Sequence, residues 1–404
     1  MRDIFPWYFH SEADYEAIWG NGILTVDTNV ILDLYRYNNS TREALLVALE
    51  SFAGRFWISH QTAKEFIRNR RAVIADVSSD FIRASKPVDD VEKAAKSAAD
   101  AIRGCRVIPK EFSKDLEVEI QKACQTIRGK IEKEKSEFPE YEASDDVVSR
   151  LEKALSDKVG TEPDDVENLL KEAQRRRDEK IPPGYMDEQK DGLGFAGDYL
   201  MWSQILAYSM EKGKPVILVT SETKEDWWEK KSGRTLNPRL ELLQEAFEKT
   251  GQKFLIYHTD QFLRLHQEKS GTESDESILE EIREYSLARE PAVSVTQEAS
   301  LQNNSANEGA LLVSLSRPVK NFTSSGRFAP NLANVPEIHA KLTETPAGTP
   351  SFTINANTGT TYDFNVHVHS AERGAMLPVG EYLIEYHASC GDPADLEETD
   401  GVAG

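Results

Sequence analysis

The sequence predicts an α/β protein, a parallel sheet sandwiched between helices, opened by a long helical hairpin and followed by a small β-rich domain. Three observations predict it. Short β-branched runs in GILTVDTNV, RFWISH, PVILVT and KFLIYHT alternate with stretches of helical periodicity, the order that builds a parallel sheet with helices on both faces. Between the second and third runs, over about 72–180, strand signals vanish and Lys, Glu, Ala, Asp and Arg dominate, with apolar residues at helical spacing. Beyond position 309, LLVSLSR, SFTINAN, TYDFNVHVH and EYLIEYHASC alternate in polarity between Gly, Pro and Asn turns, which suits a separate antiparallel domain, sandwich or barrel.

The elements follow in order. GILTV is a buried strand whose polar end, Asp27-Thr28-Asn29, opens onto a site. Ser40-Thr41-Arg42-Glu43 reads as a capping box before the helix ALLVALESF, and RFWISH as the second strand. HQTAKEFIRNRRAVI is a helix carrying Glu65. The insertion then supplies EVEIQKACQTIRGKIEKEKSEF and VVSRLEKALSDKV, helices that need only a narrow apolar seam, with breaks at Pro163 and Pro182-Pro183. From Gly184 to about Leu265 helix, strand, helix and strand resume. The expected organisation is therefore a catalytic-type domain over 1–267, a flexible acidic linker over 268–308 and a β-rich domain over 309–404.

A chain of 404 residues should hold two or three compact units. Its 48 basic and 69 acidic residues leave a net charge of −21, which argues against coating nucleic acid or anionic lipid through global charge while leaving local basic patches allowed. No membrane partner is expected. Hydrophobic residues at 39% can build a core, whereas 29% charged residues and a mean hydropathy of −0.53 leave room for solvated helices. Neither a long apolar run nor a basic-then-apolar leader is present, so a cytoplasmic location is expected. Cys105, Cys124 and Cys390 form no CxxC pair and read as reduced.

Ligands of an open parallel sheet bind beyond the carboxyl ends of its strands. Asp27 ends the first strand and Glu222 follows PVILVT, while Glu65 and Asp198 lie on helices that begin near neighbouring strand ends. Four converging carboxylates would repel one another unless a cation joined them, which points to Mg2+ or Mn2+. Such ions can activate water and stabilise the leaving oxygen of a phosphodiester. Asn29, Thr220 and Ser221 are candidates to orient carboxylates or waters. Arg68, Arg70 and Arg71, just past Glu65, are candidate phosphate contacts, as are Arg175, Arg176 and Arg177 at the end of the insertion.

VDTNVILDLYRY, ISHQTAKEFIRNR, IPPGYMDEQKDGLGFAGDYLMWSQIL and VILVTSETKEDWW, in that order over about 22–265, together resemble the bacterial PIN-like domain group that carries a long helical insertion. The resemblance implies a three-layer α/β/α sandwich whose acidic pocket binds Mg2+ or Mn2+ and cuts single-stranded RNA, or structured DNA in some relatives. It assigns the acids to Asp27, Glu65, Asp198 and either Glu222 or Asp226. One departure stands out: Thr220-Ser221-Glu222 occupies the place where Thr-Asp-Asp is expected.

The leading expectation is thus a Mg2+- or Mn2+-dependent endoribonuclease in a toxin or phage-defence setting, with a C-terminal β domain that recruits a protein partner or target. A structure-selective DNA nuclease, a non-catalytic nucleic-acid-binding module and a phosphatase of the haloacid-dehalogenase type are the alternatives. The last is disfavoured because its general acid would fall on Asn29, an amide.

Overall fold

A computed structural model of the chain describes residues 1–156, 158–186, 194–231, 234–289 and 291–390. Residues 187–193 of the GYMDEQKDGLGF segment and residues 391–404 of the expected β domain lie outside this set. The chain forms two compact units, one of Met1–Glu222 with Pro238–Glu284, the other of Thr223–Asn237 with Tyr285 onward. No helix among the described residues is long and apolar enough to cross a membrane.

The first unit opens with α1 (Glu12–Asn21), an element beyond those the sequence predicts; Ser11 and Asp14 close a capping box at its start. Next come β1 (Ile23–Val26), α2 (Thr28–Asp33), α3 (Asn39–Glu50), α4 (His60–Gly104), α5 (Glu111–Glu137), α6 (Asp146–Leu155) and α7 (Val166–Asp178). After a 3-10 turn, Gly194–Ala196, follow α8 (Gly197–Lys212) and β2 (Val216–Thr220). The paired strands β3 (Trp228–Lys231) and β4 (Arg234–Pro238) fall, up to Asn237, in the second unit, and α9 (Leu240–Thr250), β5 (Phe254–His258) and α10 (Thr259–Ser270) continue the first.

The parallel sheet is real and has the order β1-β2-β5. β1 and β2 are buried along their whole length, the mark of strands covered on both faces. RFWISH is reduced to bridges beside β1, with Leu24 N donating to Arg55 O and Trp57 N to Leu24 O, both at 2.9 Å. The run ends early because Ser59 caps α4, its hydroxyl accepting from Thr62 N at 3.0 Å. The cap of α3 also differs from the expected Ser40 box: Asn38 serves instead, accepting from Thr41 N at 2.9 Å.

The insertion is not a separate hairpin placed after the Glu65 helix. α4 runs unbroken for 45 residues, through Pro87, and α5 returns along it. Val88, Ala99 and Cys124 form a narrow buried seam, and ion pairs such as Arg128 with Asp89 and Glu92 cover its flanks. At the base, Arg70 pairs with Asp145 and donates to Tyr35 Oη at 3.0 Å, while Tyr35 donates to Asp145 at 2.9 Å. Burial and the Asp145 carboxylate raise the Tyr35 pKa, so this phenol stays a donor. Arg150 of α6 reaches Glu43 and Glu50 of α3 at 2.5 and 2.6 Å.

The stretch 268–308 corrects the expectation of a flexible linker. It holds α11 (Glu276–Arg289), β6 (Val293–Gln302) and the start of β7 (Ala306–Leu315). Acidic composition hid a narrow apolar stripe: Ile278, Leu279 and Ile282 are buried, and Glu281 accepts from Asn38 N at 2.9 Å and bonds the Thr41 hydroxyl.

The second unit continues with β8 (Asn321–Arg327), β9 (Glu337–Glu344), β10 (Phe352–Asn357), β11 (Asp363–Ser370) and β12 (Gly380–Ser389). Two antiparallel sheets, β6-β7-β12-β9 and β10-β11-β8, share one core that includes Leu311, Val313, Phe322, Phe364, Val366 and Ile384. This is a β-sandwich with alternating inward residues. Gly326 of β8 lies against the Phe364 ring, where any Cβ would overlap its edge. Gly326→Ala should therefore destabilise the sandwich by about 1–3 kcal/mol, read as a lower denaturant midpoint; an unchanged midpoint would mean the ring relocates freely.

Candidate active site

Asp27 sits where β1 ends and α2 begins, only 6% exposed. Its backbone N–H still belongs to the sheet, donating to Val219 O at 3.0 Å. Its carboxylate caps α2 through Val30 N at 3.0 Å, the helix-capping role that competes with a catalytic one for an Asp after a strand. The second oxygen accepts from Ser221 N at 3.1 Å and from the Thr220 hydroxyl. Thr220 in turn accepts from Glu222 N at 2.9 Å. The expected orienting roles of Thr220 and Ser221 thus have a geometric basis, and Asn29 is half-buried in the first turn of α2 beside them.

Glu65, on the second turn of α4, reaches the same place from the side. Its Oε2 accepts from Thr28 Oγ1 at 3.1 Å, and its Oε1 from Gln61 Nε2 at 2.6 Å. Gln61 is itself tied down, its N–H donating to Gln204 Oε1 at 3.2 Å. Both of these donors are neutral, and Glu65 makes no ion pair among the described residues. Gly197 abuts this carboxylate so closely that an added Cβ would stand 2.7 Å from Oε1. Asp198, the next residue, is half-buried in the first turn of α8, where the helix dipole favours a negative charge. Glu65 therefore contacts the residue after Asp27 through Thr28 and the residue before Asp198 at Gly197, across the insertion.

The fourth acid has two candidates. Glu222 is half-buried and joined to Asp27 through Thr220; Asp226 is fully buried in the second compact unit. Asp33, which sequence reasoning passed over, is 1% exposed. It accepts from Ser221 Oγ at 3.1 Å and pairs with Arg36 at 3.0 Å. A carboxylate inside the apolar run VILDLY was the available signal, since such a residue is rarely buried without partners. Gln61 and Thr28 carried no comparable mark.

The arginines divide by helix face. Residues 61, 65 and 68 share one side of α4, and 63, 66, 67 and 70 the other. Arg68 is exposed on the Glu65 side. Arg70 is committed to Asp145 and Tyr35, and together with Arg71 it lines a mostly apolar cavity of about 500 Å³ that includes Ile31, Phe66, Leu151 and Val159. Arg176 is buried, pairs with Glu245 and lies over Tyr199, tying α7 to α9 and α8, whereas Arg175 pairs along α7 with Glu172 and Glu179. Arg177 rests over the Phe195 ring.

Among the described residues, no group of three or more His, Cys, Asp or Glu side chains is arranged as a metal cage. The donors around Asp27 and Glu65 are nonetheless carboxylate, hydroxyl and amide groups, the chemistry suited to a hard cation held by one or two carboxylates and several waters. The profile of a family described as PIN like domain matches residues 23–242. No curated protein and no solved structure matches the chain.

Proposed function

The chain belongs to the PIN-like domain family, since over half of it matches, and on that premise we propose that it is a divalent-metal-dependent nuclease, an endonuclease acting on single-stranded RNA. One observation supports this reading: Thr28, the neighbour of Asp27 at the carboxyl end of β1, hydrogen-bonds Glu65, and Gly197, the neighbour of Asp198, abuts the same carboxylate. Glu65 held only by neutral donors suits a neighbouring cation.

Asp27 and Glu65 are the residues that would hold Mg2+ or Mn2+, with Asp198 and Glu222 of the same compact unit as the further acids. When bound, such an ion supplies Lewis acidity to the phosphodiester. The protein's part is positioning. Ser221 N, Thr220 and Val30 N fix the Asp27 carboxylate, and Thr28 and Gln61 aim Glu65. Arg68, exposed one turn further along the same face, would meet a phosphate oxygen of the bound strand. An unpaired strand is the substrate of this reading, since a flexible single strand can bend a backbone phosphate into a recess lined by half-buried and buried carboxylates.

Purified full-length protein should cut an end-labelled single-stranded RNA internally with Mn2+ or Mg2+, leaving 5′-phosphates, and should stop in EDTA. Cleavage that survives chelation would remove the metal from the proposal. RNA binding without cleavage under every metal tried would instead favour a binding module, and preferential cutting of branched DNA would move the substrate class.

A further inference from the structure

Asp33 is a buried carboxylate to which the proposed reaction gives no part. It is the last residue of α2, the helix whose first turn Asp27 caps, and it is 1% exposed. Removing a carboxylate from water is costly, and an aliphatic side chain would simply continue the apolar run VILDLY. A charge kept there serves more than packing.

Its use is visible at Ser221, which is bonded in two directions. The Ser221 hydroxyl donates to Asp33 Oδ2 at 3.1 Å, and the Ser221 backbone N–H donates to Asp27 Oδ2, also at 3.1 Å. Because a carboxylate paired with Arg36 accepts only, it takes the single hydroxyl proton of Ser221, and the Thr259 hydroxyl, 3.1 Å away, is then the donor of the remaining bond. Ser221 follows β2, Thr259 opens α10 directly after β5, and Asp27 and Asp33 bracket the helix after β1. One serine therefore pins the carboxyl ends of all three parallel strands. Arg36 donates to the other Asp33 oxygen at 3.0 Å and holds the carboxylate in place.

We propose that Asp33 is a positioning residue for the divalent cation, fixing Ser221 so that its N–H keeps the Asp27 carboxylate turned for metal binding. The inference rests on the metal-dependent reading of this site. Asp33 is not a ligand itself, since its oxygens accept from Ser221 and Arg36 and the side chain is shut off from solvent. Partners that orient a ligating carboxylate in this way set metal affinity without touching the ion.

Calorimetric titration of the full chain with Mn2+ tests this without reference to cleavage. Asp33→Asn should weaken Mn2+ binding roughly ten- to hundredfold: Arg36 retains the amide oxygen, the NH2 group faces Ser221, and the hydroxyl loses this acceptor. Ser221→Ala should lower the affinity to a similar degree. The double variant should bind no more weakly than either single one, because both break the same link. If Asp33→Asn fails to fold, the milder Ser221→Ala decides the matter, with circular dichroism confirming that it is folded. A role in the fold alone would lower the melting temperature of these variants and leave their Mn2+ affinity at the wild-type value, and that result, or additive losses in the double variant, overturns the proposal while the metal site stands. Absence of cleavage would count against the nuclease reading alone, whereas absence of Mn2+ binding by the wild-type chain would overturn both.

Discussion

Asp27→Asn is expected to abolish metal-dependent cleavage, lowering the rate by roughly a thousandfold, equivalent to about 4 kcal/mol of transition-state stabilisation. The substitution is nearly isosteric but removes the charge a cation would share. It also places an NH2 where only acceptors now fit, since Val30 N, Ser221 N and the Thr220 hydroxyl all donate toward this group. One donor must lose its partner, at a cost of about 1–3 kcal/mol. The variant should therefore fold with a slightly lower denaturation midpoint and be inactive. Circular dichroism and a single-turnover assay separate the two effects, and wild-type activity in a folded Asp27→Asn protein would take Asp27 out of the reaction.

Gly197→Ala should give the reverse balance. Alanine favours a helix more than glycine does, and the atom its Cβ would meet is the end of a flexible side chain, Glu65 Oε1 at 2.7 Å. Stability should hold or rise slightly. Glu65 must swing away, however, and its hydrogen bonds from Gln61 and Thr28 lengthen or break. A displacement of this size in a positioned carboxylate costs about a hundredfold. The measurement is cleavage rate beside melting temperature; a variant that is both stable and fully active would show that Glu65 need not stand where it does.

Much of the α/β scaffold was legible because its signals are local. Fully apolar runs such as VILVT can hardly be anything but a buried strand, and β1, β2 and β5 formed where those runs lie. RFWISH failed as a full strand since Ser59 has a competing use as a helix cap. The 268–308 stretch misled because three buried residues, Ile278, Leu279 and Ile282, suffice to anchor a helix otherwise composed like a linker. Asp27 and Glu65 could be nominated from their places beside strand ends. Their mutual connection could not, because the bridging atoms belong to Thr28 and to the missing side chain of Gly197, neither of which looks chemical in isolation. Arg70 misled in the opposite sense: a cation near an acidic site reads as a phosphate contact, yet its position on the far side of α4 gives it to Asp145.

α4 is one continuous rod that carries Glu65 near its start and the exposed turn at its far end, and such a rod would ordinarily transmit leverage. Two features interrupt the transmission. Pro87 cannot donate to the carbonyl four residues back, so the rod yields there first. Nearer the carboxylate, Arg70, Asp145 and Tyr35 act as a vice across α2, α4 and α6. Bending of the outer section should therefore be damped before it reaches Glu65, whose end of the helix is clamped to its neighbours.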